Sequence, residues 1–248
     1  MFTAELTKLK RSSLWIIALI LPVLAITTGT INYQNNTGAL DGGWASFTSQ
    51  VVLFYGLLFF SIGIGLLAAT VWRVEHRGTN WNLLLTTTRH PLLLVAVKVA
   101  AITLPIIFMQ LILVIGTFVS GTFLLNLDGP FPWQFAVIGL LTIIASLPLV
   151  ATQSLLSMLL KSFAAPVAIC LIGCVIGVAT VTSTALQPVG YVLPQAIITR
   201  TMNLGPTAIS GSGGLTLSDT LPIILTTIGL TALITILTVG ALRAIKLR

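Results

Sequence analysis

WRVEHRGTNWNLLLTTTRHPLLLVAVK, residues 72–98, lies between two long apolar runs. It carries four of the chain's twelve Lys and Arg residues (Arg73, Arg77, Arg89 and Lys98), both histidines (His76 and His90) and Glu75, one of only five acids. Whether this stretch is a surface loop of a water-soluble domain or a connection between two membrane spans decides the fold. Composition settles the choice. Of 248 residues, 56% are hydrophobic and 7% charged, against roughly 25% charged in a soluble domain. Mean hydropathy is +1.07. So little charge cannot cover a water-facing surface, and the chain reads as an all-α integral membrane protein.

A helix needs about 20 apolar residues to cross a bilayer. The runs on either side of the stretch, 47–71 and 92–125, both qualify. So do 14–31, 133–159, 164–185 and 221–242, which gives six spans in one domain, 1–248. Six spans place both termini on one side. That side then holds eleven of the twelve basic residues, including Lys8, Lys10, Arg11, Lys161 and Arg243; the other holds Arg200 with Asp41, Asp128 and Asp219. Lys and Arg mark cytoplasmic connections, so both termini are expected in the cytoplasm, and five or seven spans would spoil the asymmetry. The same distribution accounts for the net charge of +7 without nucleic acid as a partner.

Residues 2–12 place Phe2, Leu6 and Leu9 on one helix face beside cations, the pattern of a helix lying in the membrane interface. The first span is longer than a signal-peptide core and no A-x-A site follows Ala25, so it is read as retained. Between spans five and six, YVLPQAIITRTMN (191–203) is too apolar for a free loop and too short to span, which suggests a re-entrant segment; GPTAISGSGG (205–214) has the composition of a flexible one. Arg200 is expected to stay hydrated.

The spans lack acidic residues and histidines, and Lys98, near a cytoplasmic end, is expected to snorkel. Neither HExxH nor GxSxG occurs, so no catalytic, cofactor-binding or metal-ligating residues are assigned. An ion-coupled carrier or a membrane-embedded enzyme would need such groups. Cys170 and Cys174 read as small buried residues. Ser61, Gly65 and Ala69, and Gly173 and Gly177, follow the small-xxx-small spacing that lets helices approach closely. Pro22, Pro105, Pro148 and Pro166 are positioned to bend or break spans.

Within residues 72–98 the pattern predicts an extension of the second span, a turn at Gly78, a short amphipathic helix capped by Thr79 or Asn80 and carrying Leu83, Leu84 and Leu85, and a second turn before Pro91. Glu75, His76 and Arg77 are expected to meet a partner. The chain has no GxxxxGK[ST] phosphate loop, so any ATP that drives it is bound by another polypeptide.

Glu75, Gly78-Thr79, Leu83-Leu84-Leu85 and Lys98 together resemble the cytoplasmic signature of type-2 ABC (ABC-2) exporter permeases. ELTKLKRSSLWIIALILPVL (5–24) resembles the start of their lantibiotic-immunity branch, whereas TTTRHP (86–91) departs from the proline placement of many relatives. The resemblance implies an ATPase-coupling segment in which Glu75, His76, Arg77, Gly78, Thr79, Leu83 and Leu84 dock into a separate ABC ATPase dimer. It also implies a second permease, identical or paralogous, and a place in the bacterial cytoplasmic membrane. The implied cargo is an antimicrobial peptide or another amphipathic compound, expelled from the bilayer.

Overall fold

The computed structural model describes residues 2–10, 12–77, 81, 84, 90–205 and 215–244. In chain order the helices are α1 (Phe2–Lys10), α2 (Leu14–Asn35), α3 (Gly43–Arg73), α4 (Pro91–Leu124), α5 (Trp133–Leu159), α6 (Ala164–Thr182), α7 (Pro194–Met202) and α8 (Leu217–Ala244). A 3-10 segment, Thr184–Tyr191, joins α6 to α7. The described residues contain no strand. The six long helices α2 to α6 and α8 are each apolar enough to cross a bilayer.

Two spans run about a turn beyond their apolar runs. α2 continues to Asn35 and α3 begins at Gly43, because polar residues there pair with one another. Asn32 donates to the Gln50 side chain, and the Gly43 N–H donates to Tyr33 Oη at 3.1 Å. Hydropathy alone cannot see such pairs. α6 ends earlier than its apolar run, at Thr182, where the chain turns into the 3-10 segment.

α3 is the axle of the bundle. It packs against α2, α4, α5 and α6, and Phe60, Ile64, Leu67 and Ala68 are completely buried. Lipid is as apolar as leucine, so close van der Waals fit rather than burial from water holds these helices together. Gly29 shows how close: a Cβ there would stand 2.7 Å from the Val51 Cα. The outward faces carry Ile16 and Ile20 on α2, Ile172 and Val175 on α6, and Ile228 and Ile236 on α8, as a lipid-facing surface requires. α8 is the most peripheral span, with 17% of its apolar window buried against 61% for α3.

The helix interruptions fall only partly at prolines. α5 breaks at Ser146, just before Pro148, whose ring and missing N–H oppose the preceding turn. Pro22 and Pro105 lie inside continuous helices, and Pro166 occupies the first turn of α6. Two π turns, Tyr55–Phe59 in α3 and Ser120–Leu124 in α4, sit instead at Gly56 and Gly121.

α7 packs inside the bundle, as its apolar run implies. Ala196, Ile197, Ile198 and Met202 are buried, and Thr199 Oγ1 donates to the Gly56 carbonyl at 3.3 Å. Gly56 lies thirteen residues along α3 from Gly43, about 20 Å of helix, so α7 reaches well into the molecule. Arg200 is not simply hydrated: its guanidinium lies 4.3 Å from the Tyr191 ring centroid. The stretch 206–214 falls outside the described residues.

The charge asymmetry predicts the orientation. In a background with Cys170 and Cys174 replaced by serine, single cysteines at exposed Asn36 and Asp128 react with an impermeant maleimide on intact cells, whereas one at exposed Ser162 reacts only after permeabilisation. Labelling of Ser162→Cys on intact cells would reverse the arrangement.

Candidate coupling site between the third and fourth helices

The connection of residues 74–90 leaves the end of α3 and re-enters at Pro91, the first residue of α4. His90 is extended (φ −127°, ψ 99°), as the residue before a proline prefers. Lys98 follows seven residues later, about 10 Å along the helix axis.

Lys98 occupies the same face as Leu94, Ile102 and Ile106, all buried, at the four-residue spacing that marks one helix stripe. Its position therefore points it into the bundle. It does not snorkel: it is 0% exposed. Its ammonium donates to Glu75 Oε1 at 2.7 Å and to Glu5 Oε2 at 2.9 Å. Lys8, one turn after Glu5 on α1, donates to Glu5 Oε1 and to Glu75 Oε1, each at 2.7 Å. Two ammonium groups and two carboxylates thus close a neutral quartet that ties α1, the end of α3 and the start of α4.

The charges set one another's protonation. Burial alone would push the Glu75 carboxyl up, but the Lys98 charge and the hydrogen bonds from Lys8 and Lys98 outweigh it and hold Glu75 below the ordinary carboxylate value. Burial would pull the half-buried Lys8 down, but its bonds to Glu5 and Glu75 raise it above the ordinary lysine value.

An aromatic group continues the site toward α5. The Lys98 ammonium lies 5.2 Å from the Trp72 ring centroid, and Trp72 Nε1–H donates to Ser154 Oγ at 2.7 Å. The Trp81 ring stands 6.0 Å from Trp72 and stacks on His76 at 5.5 Å and 9°. His76 Nε2 lies 2.8 Å from the Ser157 carbonyl oxygen. That oxygen only accepts, so Nε2 carries the proton.

Of the residues expected in the coupling segment, Glu75 and His76 therefore turn inward. Glu75 was expected to face a partner, but it is 3% exposed because Lys98 draws it into the bundle. Arg77 is exposed. Leu84 is half-buried against the cluster of Trp72, Leu94 and Met158. Gly78, Thr79 and Leu83 lie outside the described residues. The expected packing residues sit at helix junctions: a Cβ on Gly65 would stand 3.2 Å from Cys170 Cβ, one on Gly177 would stand 3.3 Å from the Ala196 nitrogen, and Gly173 faces the Gln195 side chain. The Ser61 carbonyl accepts from the Cys170 thiol at 3.1 Å. Sequence reasoning missed Glu5, Lys8, Trp72 and Trp81. A signal existed for the first of these: Glu5 and Glu75 are the only glutamates in the chain, and a lysine inside a span needs a counter-charge.

A family model described as ABC-2 family transporter protein matches residues 1–177. The match spans α1 through most of α6 and includes every residue of the quartet. No curated protein and no solved structure matches the chain.

Removing one member of a buried ion group strands its partner. Glu75→Gln and Lys98→Met, each alone, should destabilise the protein by about 3–5 kcal/mol. The double variant should cost less than the sum of the two, with a coupling of roughly 0.5–3 kcal/mol, measured by unfolding in detergent. Because Glu75 is held low, its contribution is complete above its ordinary value of 4.5 and is lost as pH falls through the lowered one. The stability gap between wild type and Glu75→Gln should therefore be full at neutral pH and close only in acid. A gap that closes near pH 7, or strictly additive single effects, would contradict this picture.

Proposed function

The chain belongs to the ABC-2 transporter family, and from that premise we propose that it is the membrane-spanning permease subunit of an ATP-driven exporter. The family implies an ABC ATPase partner in a membrane complex. In this reading the ATPase engages the 74–90 connection, and two permeases, identical or paralogous, share two ATPases in a bacterial cytoplasmic membrane.

The observation that carries the proposal is the way this connection is hung. Its first residues are fastened by Glu75 to Lys98 and Lys8 and by His76 to α5. Trp81 rests on His76 and Trp72. A push on Glu75, His76 or Trp81 is therefore delivered to α1, α3, α4 and α5 together. An interface that must turn ATPase movement into helix movement needs that stiffness.

For cargo, the spans offer leucine, isoleucine, valine and threonine rather than charge, which suits an amphipathic molecule drawn from the bilayer. The outer connections hold Asp41, Asp128 and Asp219 against Arg200, a mild negative bias that tolerates a cationic peptide. We therefore assign the protein to self-protection or resistance against an antimicrobial peptide or similar amphiphile. Coupling to a proton or sodium gradient is disfavoured, because the buried ionisable quartet is already neutral and internally bonded.

Cells expressing the chain with its ATPase and any partner permease should tolerate several-fold more of a cationic membrane-active peptide than cells without them. Changing the lysine of the ATPase's phosphate loop should abolish the tolerance. Tolerance that survives that change and instead collapses with the proton gradient would support a carrier.

A further inference from the structure

Resting on this reading, we propose that the junction of α3, α5, α6 and α7 within one chain is a closed, uncharged binding cleft for the backbone amides of a peptide cargo. The junction is lined by small residues: Ser61 and Gly65 on α3 face Cys170 on α6, and Gly173 and Gly177 on α6 face Gln195 and Ala196 on α7. Such a stripe alone is ordinary helix packing.

Gln153 changes its meaning. The side chain is 0% exposed, and neither its Oε1 nor its Nε2 has a hydrogen-bond partner among the described residues. It is aimed into the stripe, since a Cβ on Gly65 would stand 3.8 Å from Gln153 Oε1. One turn along α5, Ser157 Oγ is also buried with no hydrogen-bond partner among the described residues. An unmatched carboxamide in a dry interior is costly, and apolar side chains of the same size avoid the cost. A glutamine kept there suits a ligand that supplies both a carbonyl and an N–H. A peptide amide supplies both in the complementary arrangement. A charged group would find no counter-charge, because the lining is neutral throughout.

The cleft is shut in this structure, and the way it opens is built into its walls. α6 turns about two-thirds of its apolar window outward, with 33% of it buried. α7 is fixed to α3 through the Thr199 bond to Gly56, inside a π turn, a feature often found where helices must adjust. Parting α6 and α7 from α3 and α5 exposes Gln153, Gln195 and both cysteines to one space.

Cys170 and Cys174 are the chain's only cysteines and are buried, so they report on the cleft without modification. The complete transporter in proteoliposomes is treated with a small water-soluble methanethiosulfonate, with and without ATP, with Cys170→Ser/Cys174→Ser as the blank. Labelling should be slow at rest and fast during turnover. A synthetic amphipathic peptide at about ten times its dissociation constant should slow labelling by roughly tenfold, whereas a quaternary-ammonium amphiphile without amides should not. Gln153→Met should abolish that protection and reduce peptide export by about tenfold, the effect of one unmade hydrogen bond in a dry site, while unfolding at a temperature no lower than wild type. Thiols that stay unreactive in every state overturn the cleft whether or not export occurs. So do labelling unaffected by peptide and wild-type export by Gln153→Met. Labelling that peptide slows, in a transporter that shows no ATP-driven export, leaves the cleft standing and removes the exporter reading instead.

Discussion

The architecture depends on one ammonium group. Lys98 sits on the interior stripe of α4, where water cannot reach it, and an isolated charge in such a place is prohibitively expensive. Its charge must be cancelled within hydrogen-bonding distance. The two carboxylates that do so come from opposite directions in sequence, Glu5 from the N-terminal helix and Glu75 from just beyond the end of α3. Lys8 then balances the second negative charge. Once this arithmetic is imposed, α1 cannot float along the membrane surface and the ends of α3 and α4 cannot drift apart. The position of the connection between them follows.

The rest of the bundle obeys a different rule. Away from the quartet, helices are held by fit, and α3 is central because its small residues let four neighbours approach. The π turns fall at Gly56 and Gly121 rather than at the buried prolines, and a side chain from elsewhere comes close at each point. Met202 abuts Gly56, and the Trp44 ring abuts Gly121. Pro22 and Pro105 are accommodated without a break because the helices around them remain packed.

Much of this was legible in the sequence. Six apolar runs, one polar connection and an asymmetric set of basic residues define an all-helical membrane protein, and the apolar run 191–203 betrays a helix that belongs inside. The ion quartet was less legible, for a specific reason. Hydropathy and periodicity describe one helix at a time, whereas the quartet is a contact between residues 5, 8, 75 and 98. Glu75 looked like a lone acid free to meet a partner because its two lysines are 67 and 23 residues away in the chain. Lys98 lies near a span's end, where lysines commonly snorkel, and only the helix face it shares with Leu94, Ile102 and Ile106 turns it inward. Gln153 raised no signal, since a single glutamine in an apolar run is unremarkable until its surroundings are known to be dry.

The two ends of α5 stand in contrast. Near its C-terminal end, Ser154 Oγ accepts from Trp72 and the Ser157 carbonyl from His76, so this end is tied to the connection. The regular helix of α5 is interrupted once, at Ser146 before Pro148. In the proposed coupling, force applied at the connection would reach Gln153, which lies between Ser146 and the bonded serines. A helix gripped at one end acts first on the helices beside it. On its α3 and α6 sides, those are the helices that meet around Gly65 and Cys170. In the proposed coupling, the same geometry that ties the C-terminal end of α5 would direct motion toward the neutral junction, where Gln153 has no hydrogen-bond partner among the described residues and makes close packing least favourable.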